Sequence, residues 1–260
     1  MRSLLCLPLL LLSLTAFSEV IILEGVYQGK DLYVKNPFTD DGVGFCVFEV
    51  LVNGQVTTDE VNSSAFAVDL TLFELEIGDP LEVVIRTKDN CSAKVINPEA
   101  IRPRSTFAVS SMEVSTDGML TWTTTGESGP LPFVIEQLKW NKWVAIGEVM
   151  GQGKPSTNSY TFAVAMHDGT NTFRVSQKGV AGNHSSDRIE ANSNAPKITL
   201  KSEKVFDKVE FSSSTPFELF NEYGVLVAQG SGKEIDVRKM PKGRYYLNFG
   251  SQFGQLITKK

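Results

Sequence analysis

The chain has 260 residues, a formal net charge of −5, and 42% hydrophobic against 21% charged residues. Those proportions exclude a disordered polyelectrolyte, and the acidic balance argues against a nucleic-acid binder. Three cysteines and two histidines leave few ways to build a zinc site or a base-assisted nucleophile.

At the N-terminus Arg2 precedes an apolar run from Leu4 to Phe17, with small Ala16 and Ser18 where a signal peptidase reads. The run has the length of a signal-peptide core and is short of the ~20 residues of a membrane span. Residues 1–18 are therefore expected to be a cleaved signal peptide; an uncleaved anchor is the alternative. Cys6 lies in the run without a lipobox around it. No later stretch is apolar enough to span a bilayer, so the mature chain is expected in the periplasm, on the outer-membrane surface or outside the cell.

Apolar residues then recur at every second position, the period of strands. Val20 to Leu23 and Asp31 to Lys35 flank Gln28-Gly29-Lys30 and predict a hairpin. Phe45 to Val52 predicts a strand ended by the Asn53-Gly54 turn. Ala65 to Leu70 and Leu81 to Arg86 follow, with a short helical turn near Leu72 to Leu75. Cys46 lies early in one strand and Cys91 just after another. An even number of cysteines in an exported chain predicts a disulfide; two unpaired thiols buried as small apolar groups are the alternative. Asn97-Pro98 and Arg102-Pro103-Arg104 punctuate the chain, so residues 19–103 are read as an Ig-like sandwich.

Next, Phe107 to Val114 and Met119 to Thr123 predict strands about Thr116-Asp117-Gly118. Phe133 to Trp140 and Trp143 to Val149 predict a hairpin across Asn141-Lys142. Tyr160 to Ala165, Asn171 to Gln177 and Arg188 to Glu190 complete seven strands over residues 104–195, the expectation for an aligned sandwich. In that hairpin Trp140 and Trp143 would face each other, an arrangement stabilising by ~0.2–1 kcal/mol. On a solvent-facing sheet the pair is a candidate binding platform for a sugar or a protein; on the inner face it is core. Val144 and Ile146 alternate with Trp143, so the pattern leaves both readings open.

Leu120-Thr121-Trp122, the Phe133 to Gln137 segment followed by Trp143, and Phe173-Arg174-Val175-Ser176-Gln177 before the Gly182 to Ser186 loop resemble fibronectin type III domains. The resemblance covers Ser105 to about Asn192 and implies that Trp122 is an early core tryptophan. Phe173 stands where that family often has tyrosine, and the chain has no Arg-Gly-Asp.

After Asn192 to Pro196, six or seven short strands are predicted between Lys208 and Ile257, with tight turns at Glu222-Tyr223-Gly224 and Pro241-Lys242-Gly243. Leu219 to Val227, Ile235-Asp236-Val237, Met240 to Leu247 and the terminal Lys259-Lys260 look like the type A sorting domain of bacterial type IX secretion cargo. This resemblance covers Ile198 to Lys260 and implies a small sandwich over residues 196–260. It also implies a role in passage through the outer membrane. The opening Tyr-Pro-Asn-Pro-like segment of that family is missing between Leu200 and Phe206, which leaves a retained structural module as the alternative.

The net charge is −9 over residues 19–103, −1 over 104–195 and +4 over 196–260. Such asymmetry fits separate modules, whose opposite charges either attract each other or are simply solvated. No constellation of reactive groups stands out. His167 and His184 sit in turns. Gly126-Glu127-Ser128-Gly129-Pro130 lacks the closing glycine of a nucleophile elbow, and Gly151-Gln152-Gly153 and Gly230-Ser231-Gly232 lack a strand-to-helix setting. Thr39-Asp40-Asp41-Gly42 offers hard oxygens, too few for a full calcium site.

The sequence therefore predicts an all-β exported chain of three consecutive small sandwiches, with no cofactor, no metal and no catalytic residue. Its expected partner is a protein of the cell envelope, as secretion cargo or as an accessory of an outer-membrane complex. Carbohydrate binding through Trp140 and Trp143 is a second class, and an enzyme with its site between Glu19 and Pro103 a third.

Overall fold

The computed structural model describes residues 19–40 and 42–260, so the predicted signal peptide and Asp41 lie outside the described residues. The regular structure of the described residues is strand, apart from short 3-10 turns at Leu70–Phe73 and Pro98–Ile101. It divides into two compact units, one ending at Arg102 and one running from Pro103 to Lys260.

In the first unit the strands are β1 (Val20–Val26), β2 (Leu32–Lys35), β3 (Val47–Val52), β4 (Gln55–Val56), β5 (Ala65–Val68), β6 (Pro80–Thr87) and β7 (Lys94–Val95). One sheet has the order β1-β6-β3-β4 and the other β5-β2-β7. Alternation places Leu32, Val34, Val50, Val52, Val68, Val83 and Ile85 in one core. Burying each such side chain stabilises by ~1.5–3 kcal/mol.

The expected hairpin between Val20–Leu23 and Asp31–Lys35 does not form. All seven residues of β1 pair with β6 instead, and β2 pairs in the other sheet. The intervening Tyr27 is held to the approach of β6, its N–H donating to Asp79 O at 2.9 Å and its carbonyl accepting from Gly78 N at 2.8 Å. That lets both faces of the sandwich draw on adjacent segments of chain.

Cys46 and Cys91 form a disulfide with their Cα atoms 5.7 Å apart. Beside it the buried Asn36 satisfies three backbone groups. Its Nδ2 donates to Val61 O and Ser63 O at 2.8 and 3.0 Å, and its Oδ1 accepts from Val47 N at 2.8 Å.

The second unit opens with β8 (Ala108–Val114), β9 (Met119–Thr125), β10 (Pro132–Lys139), β11 (Lys142–Met150), β12 (Asn158–Ala163), β13 (Gly169–Gly179), β14 (Gly182–Ser185) and β15 (Ile189–Ser193). The order β12-β9-β8 faces β11-β10-β13-β14, with β15 also on β13. This is a fibronectin type III-like sandwich, and Trp122 is its core tryptophan. Its ring stacks on Tyr160 at 5.2 Å and meets Phe133 edge-on at 5.8 Å, geometries that aromatic quadrupoles favour. Phe173 is fully buried in the same cluster.

The remaining strands are β16 (Lys204–Val205), β17 (Lys208–Asn221), β18 (Leu226–Asp236), β19 (Gly243–Phe249) and β20 (Gln252–Lys259). They form one sheet ordered β16-β20-β19-β17-β18. Two long strands thus replace several of the short ones expected. Pairing of β17 with β18 breaks between Glu210 and Thr215, over the exposed Ser212-Ser213-Ser214. A bulge of this kind bends a strand. The sheet folds over on itself there, so Phe211 lies 5.2 Å from Phe249 and 6.1 Å from Phe217 in a core with Leu219 and Leu247.

Candidate functional site

The β10–β11 hairpin carries both candidate tryptophans, and its turn is one residue earlier than expected. Leu138 pairs with Trp143 and Lys139 with Lys142, leaving Trp140 and Asn141 as the loop. Both have positive φ, +53° and +61°, the geometry of a type I′ turn. Asparagine tolerates the left-handed region and would occupy a loop position in either register; the observed one puts Trp140 in the other position, where the expected one would have put Lys142. Because strands alternate, a shift of one residue exchanges faces. The two indoles are therefore not cross-strand partners.

Trp143 shares its face with Leu138 and, two residues along, Glu136, while the intervening Ile135 and Gln137 are buried inward. It is thus on the outer face of the sheet. The Arg174 guanidinium lies 4.2 Å over the ring and its Nε donates to Glu136 Oε2 at 2.7 Å. A cation held over tryptophan this way stabilises by ~0.5–1 kcal/mol at a partly exposed site. One ring face is consequently already occupied.

Trp140 points elsewhere. Its Nε1–H donates to Gly250 O at 3.2 Å, in the turn between β19 and β20. Beside it the Lys142 ammonium lies 2.5 Å from Glu218 Oε1, and Asn248 Nδ2 donates to Glu218 Oε2 at 3.3 Å. A cleft of about 630 Å³ opens between this hairpin and strands β17 and β18. Its walls include Val144, Ile146, Phe162 and Phe217, with Lys139 and Gln137 among them. Burial pushes the Lys139 amine below its ordinary pKa.

Gln137 is wholly buried and its orientation is fixed by Asn171. Asn171 Nδ2 donates to His167 O and Gly169 O at 2.9 and 3.0 Å, so its Oδ1 must accept, from His167 N at 2.9 Å and Gln137 Nε2 at 2.8 Å. That leaves Gln137 Oε1 without a hydrogen-bond partner.

A second surface lies on the outer face of the C-terminal sheet. Leu226 pairs with Phe220, Phe220 with Tyr246 and Tyr246 with Leu256, one cross-strand row over four strands. Leu226, Tyr246 and Leu256 are each 42% exposed, whereas Leu219, Tyr245, Leu247 and Ile257 alternate inward and are buried. Tyr223 and Val225, in the β17–β18 turn, are exposed beyond the row. Sequence alternation contained this stripe, but only the pairing register brings its members together.

The other candidate groups are committed to local structure. Half-buried His167 belongs to the Asn171 clamp, and exposed His184 rests edge-on against Phe107 at 4.7 Å, beside a different cavity. Residues Gly126–Pro130 and Gly151–Gly153 pack together around buried Glu127. Its carboxylate accepts from Gly153 N at 2.8 Å, from the Tyr160 hydroxyl at 2.8 and 2.9 Å, and from the Thr124 hydroxyl. Gly129 N also donates to Gly153 O at 2.8 Å. A Cβ at Gly153 would lie 2.4 Å from backbone atoms of Gly129 and Pro130, so glycine is required there. No sequence signal marked Glu127 as the centre of this clamp. Among the described residues no group of three or more His, Cys, Asp or Glu is placed to hold a metal.

No protein-family model and no curated protein matches the chain. Similar solved structures include a tetra-tandem repeat in the extending region of a large adhesion protein, at 12% identity and TM-score 0.30, over 93% of this chain and 73% of that one. The FN1–FN3 domains of chicken CNTN1 match at 12% identity and TM-score 0.26, over 94% and 98%. Dimeric latent PorU from Porphyromonas gingivalis matches at 12% identity and TM-score 0.24, over 94% and 29%.

Proposed function

We propose that this chain is an exported interaction protein of the bacterial cell envelope or surface, working by binding and not by catalysis. The observation that carries this reading is the apolar row Leu226–Phe220–Tyr246–Leu256, half-exposed on one continuous face. Water-exposed apolar rows of this kind gain free energy when a partner covers them. The Cys46–Cys91 disulfide supports an oxidising compartment. The saturated hydrogen bonding of Glu127 and of the His167 turn supports a scaffold in which the polar loops hold strands together.

Residues 104–195 and 196–260 act in this reading as separate modules after residues 19–103, with residues 1–18 removed on export. The finer reading is cargo of type IX secretion, the C-terminal module being its sorting domain; an accessory that keeps this module in an outer-membrane complex is the other form. Mass spectrometry of the mature protein in fractionated cells separates them. Loss of about the last 65 residues with appearance outside the cell supports cargo. An intact C-terminus inside the envelope contradicts it.

A carbohydrate-binding accessory is the second reading, favoured by the position of Trp143 on an outer sheet face. A sugar ring has to share that indole with Arg174 or displace it.

A further inference from the structure

We propose that the cleft between the β10–β11 hairpin and strands β17 and β18 binds a small amphiphilic carboxylate of the fatty-acid type. Val144, Ile146, Phe162 and Phe217 hold its aliphatic body and the Lys139 ammonium holds its carboxylate.

Shape is the first argument. A volume of about 630 Å³ lies within the ~300–1,000 Å³ range of small-molecule pockets, and such pockets favour domain junctions. Three edge strands border it: β11, β12 and β18 each end their sheets, so no further strand among the described residues extends over the space. Gly230, on its β18 side, adds no side chain to fill it.

Charge is the second. Glu218 also borders the cleft but is already neutralised by Lys142 at 2.5 Å. Lys139 makes no ion pair or side-chain hydrogen bond with any described residue, and it is half-buried. A half-buried ammonium without a counter-ion is costly, and an anionic head group removes that cost. The lowered Lys139 pKa agrees with this, since desolvation is its cause.

Polarity then sets orientation. The Gln137 side chain is wholly buried and donates one of its two amide N–H groups to Asn171 Oδ1, which leaves Lys139 as the cation of the lining. The head group therefore sits with Lys139, and the aliphatic chain runs along the apolar walls.

The test is isothermal titration of the full mature chain with dodecanoate, dodecanol and dodecyltrimethylammonium, each below its micellar concentration. The proposal expects saturable one-to-one binding of dodecanoate, with the ammonium compound weaker by about tenfold or more. Lys139→Met keeps the aliphatic stem and should weaken dodecanoate by about tenfold while leaving dodecanol within about twofold. Ala163→Phe should abolish binding of both by filling the cleft, and melting curves confirm that each variant is folded. Absent saturable binding, equal affinity for the two charged probes, or dodecanoate binding unchanged in Lys139→Met would each overturn it.

Discussion

The indole of Trp140 donates its N–H to the carbonyl oxygen of Gly250 at 3.2 Å, joining residues 110 positions apart in the chain. Gly250 N in turn donates to Thr215 Oγ1 at 3.0 Å, at the bend of β17. One turn residue of the fibronectin type III-like sandwich is thereby tied to the fold point of the C-terminal sheet. Trp140→Phe removes the donor but keeps an aromatic ring. It should loosen this junction by about 0.5–1.5 kcal/mol, read as faster amide exchange at Gly250 and Ser251 with the Trp122 core unaffected.

The Cys46–Cys91 bridge closes a loop of 45 residues. On the chain-entropy model this contributes about 4 kcal/mol. Urea unfolding of Cys46→Ala/Cys91→Ala should show that loss in the first unit alone, with the transition of residues 103–260 unmoved.

Burial, with the Glu127 carboxylate beside it, raises the pKa of the Tyr160 hydroxyl above its ordinary value of 10.0. A group with a raised folded-state pKa contributes stability that is intact below the unfolded-state value and lost as pH climbs beyond it. Thermal melts should therefore show an alkaline loss of stability beginning near pH ~10, and Tyr160→Phe should lack that component. At neutral pH the same variant should be less stable by about 1–3 kcal/mol, because it strips a donor from a buried carboxylate.

Gly147 faces Phe162, and a Cβ there would fall 2.1 Å from Phe162 Cζ. Gly147→Ala should cost about 1–3 kcal/mol by displacing that ring, measured by chemical denaturation. Since Phe162 also walls the cleft, its displacement should weaken any ligand held there.

Trp143 and Arg174 give a test of the sugar reading. If Trp143 serves as a sugar platform, Arg174→Ala should free the ring face and strengthen glycan-array binding, while Trp143→Ala should abolish it. Binding that persists in Trp143→Ala removes that reading.

Alternation alone made the strands legible, because every sheet here has one face on a core: Leu32 and Val34, Phe133 and Ile135, Tyr245 and Leu247 all read correctly. Pairing was less legible. The β1–β2 hairpin was expected because its segments are adjacent with a glycine between, yet β1 finds seven partners in β6, far along the chain. The Trp140-Asn141 loop was misread by one residue, since Asn141 fits either loop position. The bend in β17 splits one long strand into the shorter ones expected, because the exposed Ser212-Ser213-Ser214 interrupt the apolar alternation there. Glu127 is not legible in the sequence because two of its three donors, Gly153 N and the Tyr160 hydroxyl, lie 26 and 33 residues away, beyond the reach of a local pattern.

In the reading proposed above, a protein partner covers the outer face of the C-terminal sheet. A photo-crosslinking amino acid in place of Tyr246, in the cell of origin, would capture that partner. One discrete protein adduct is expected, lost when Leu256→Glu places a charge in the same row. No adduct at residue 246, or one equally strong from the exposed Tyr33 of the first unit, would contradict it.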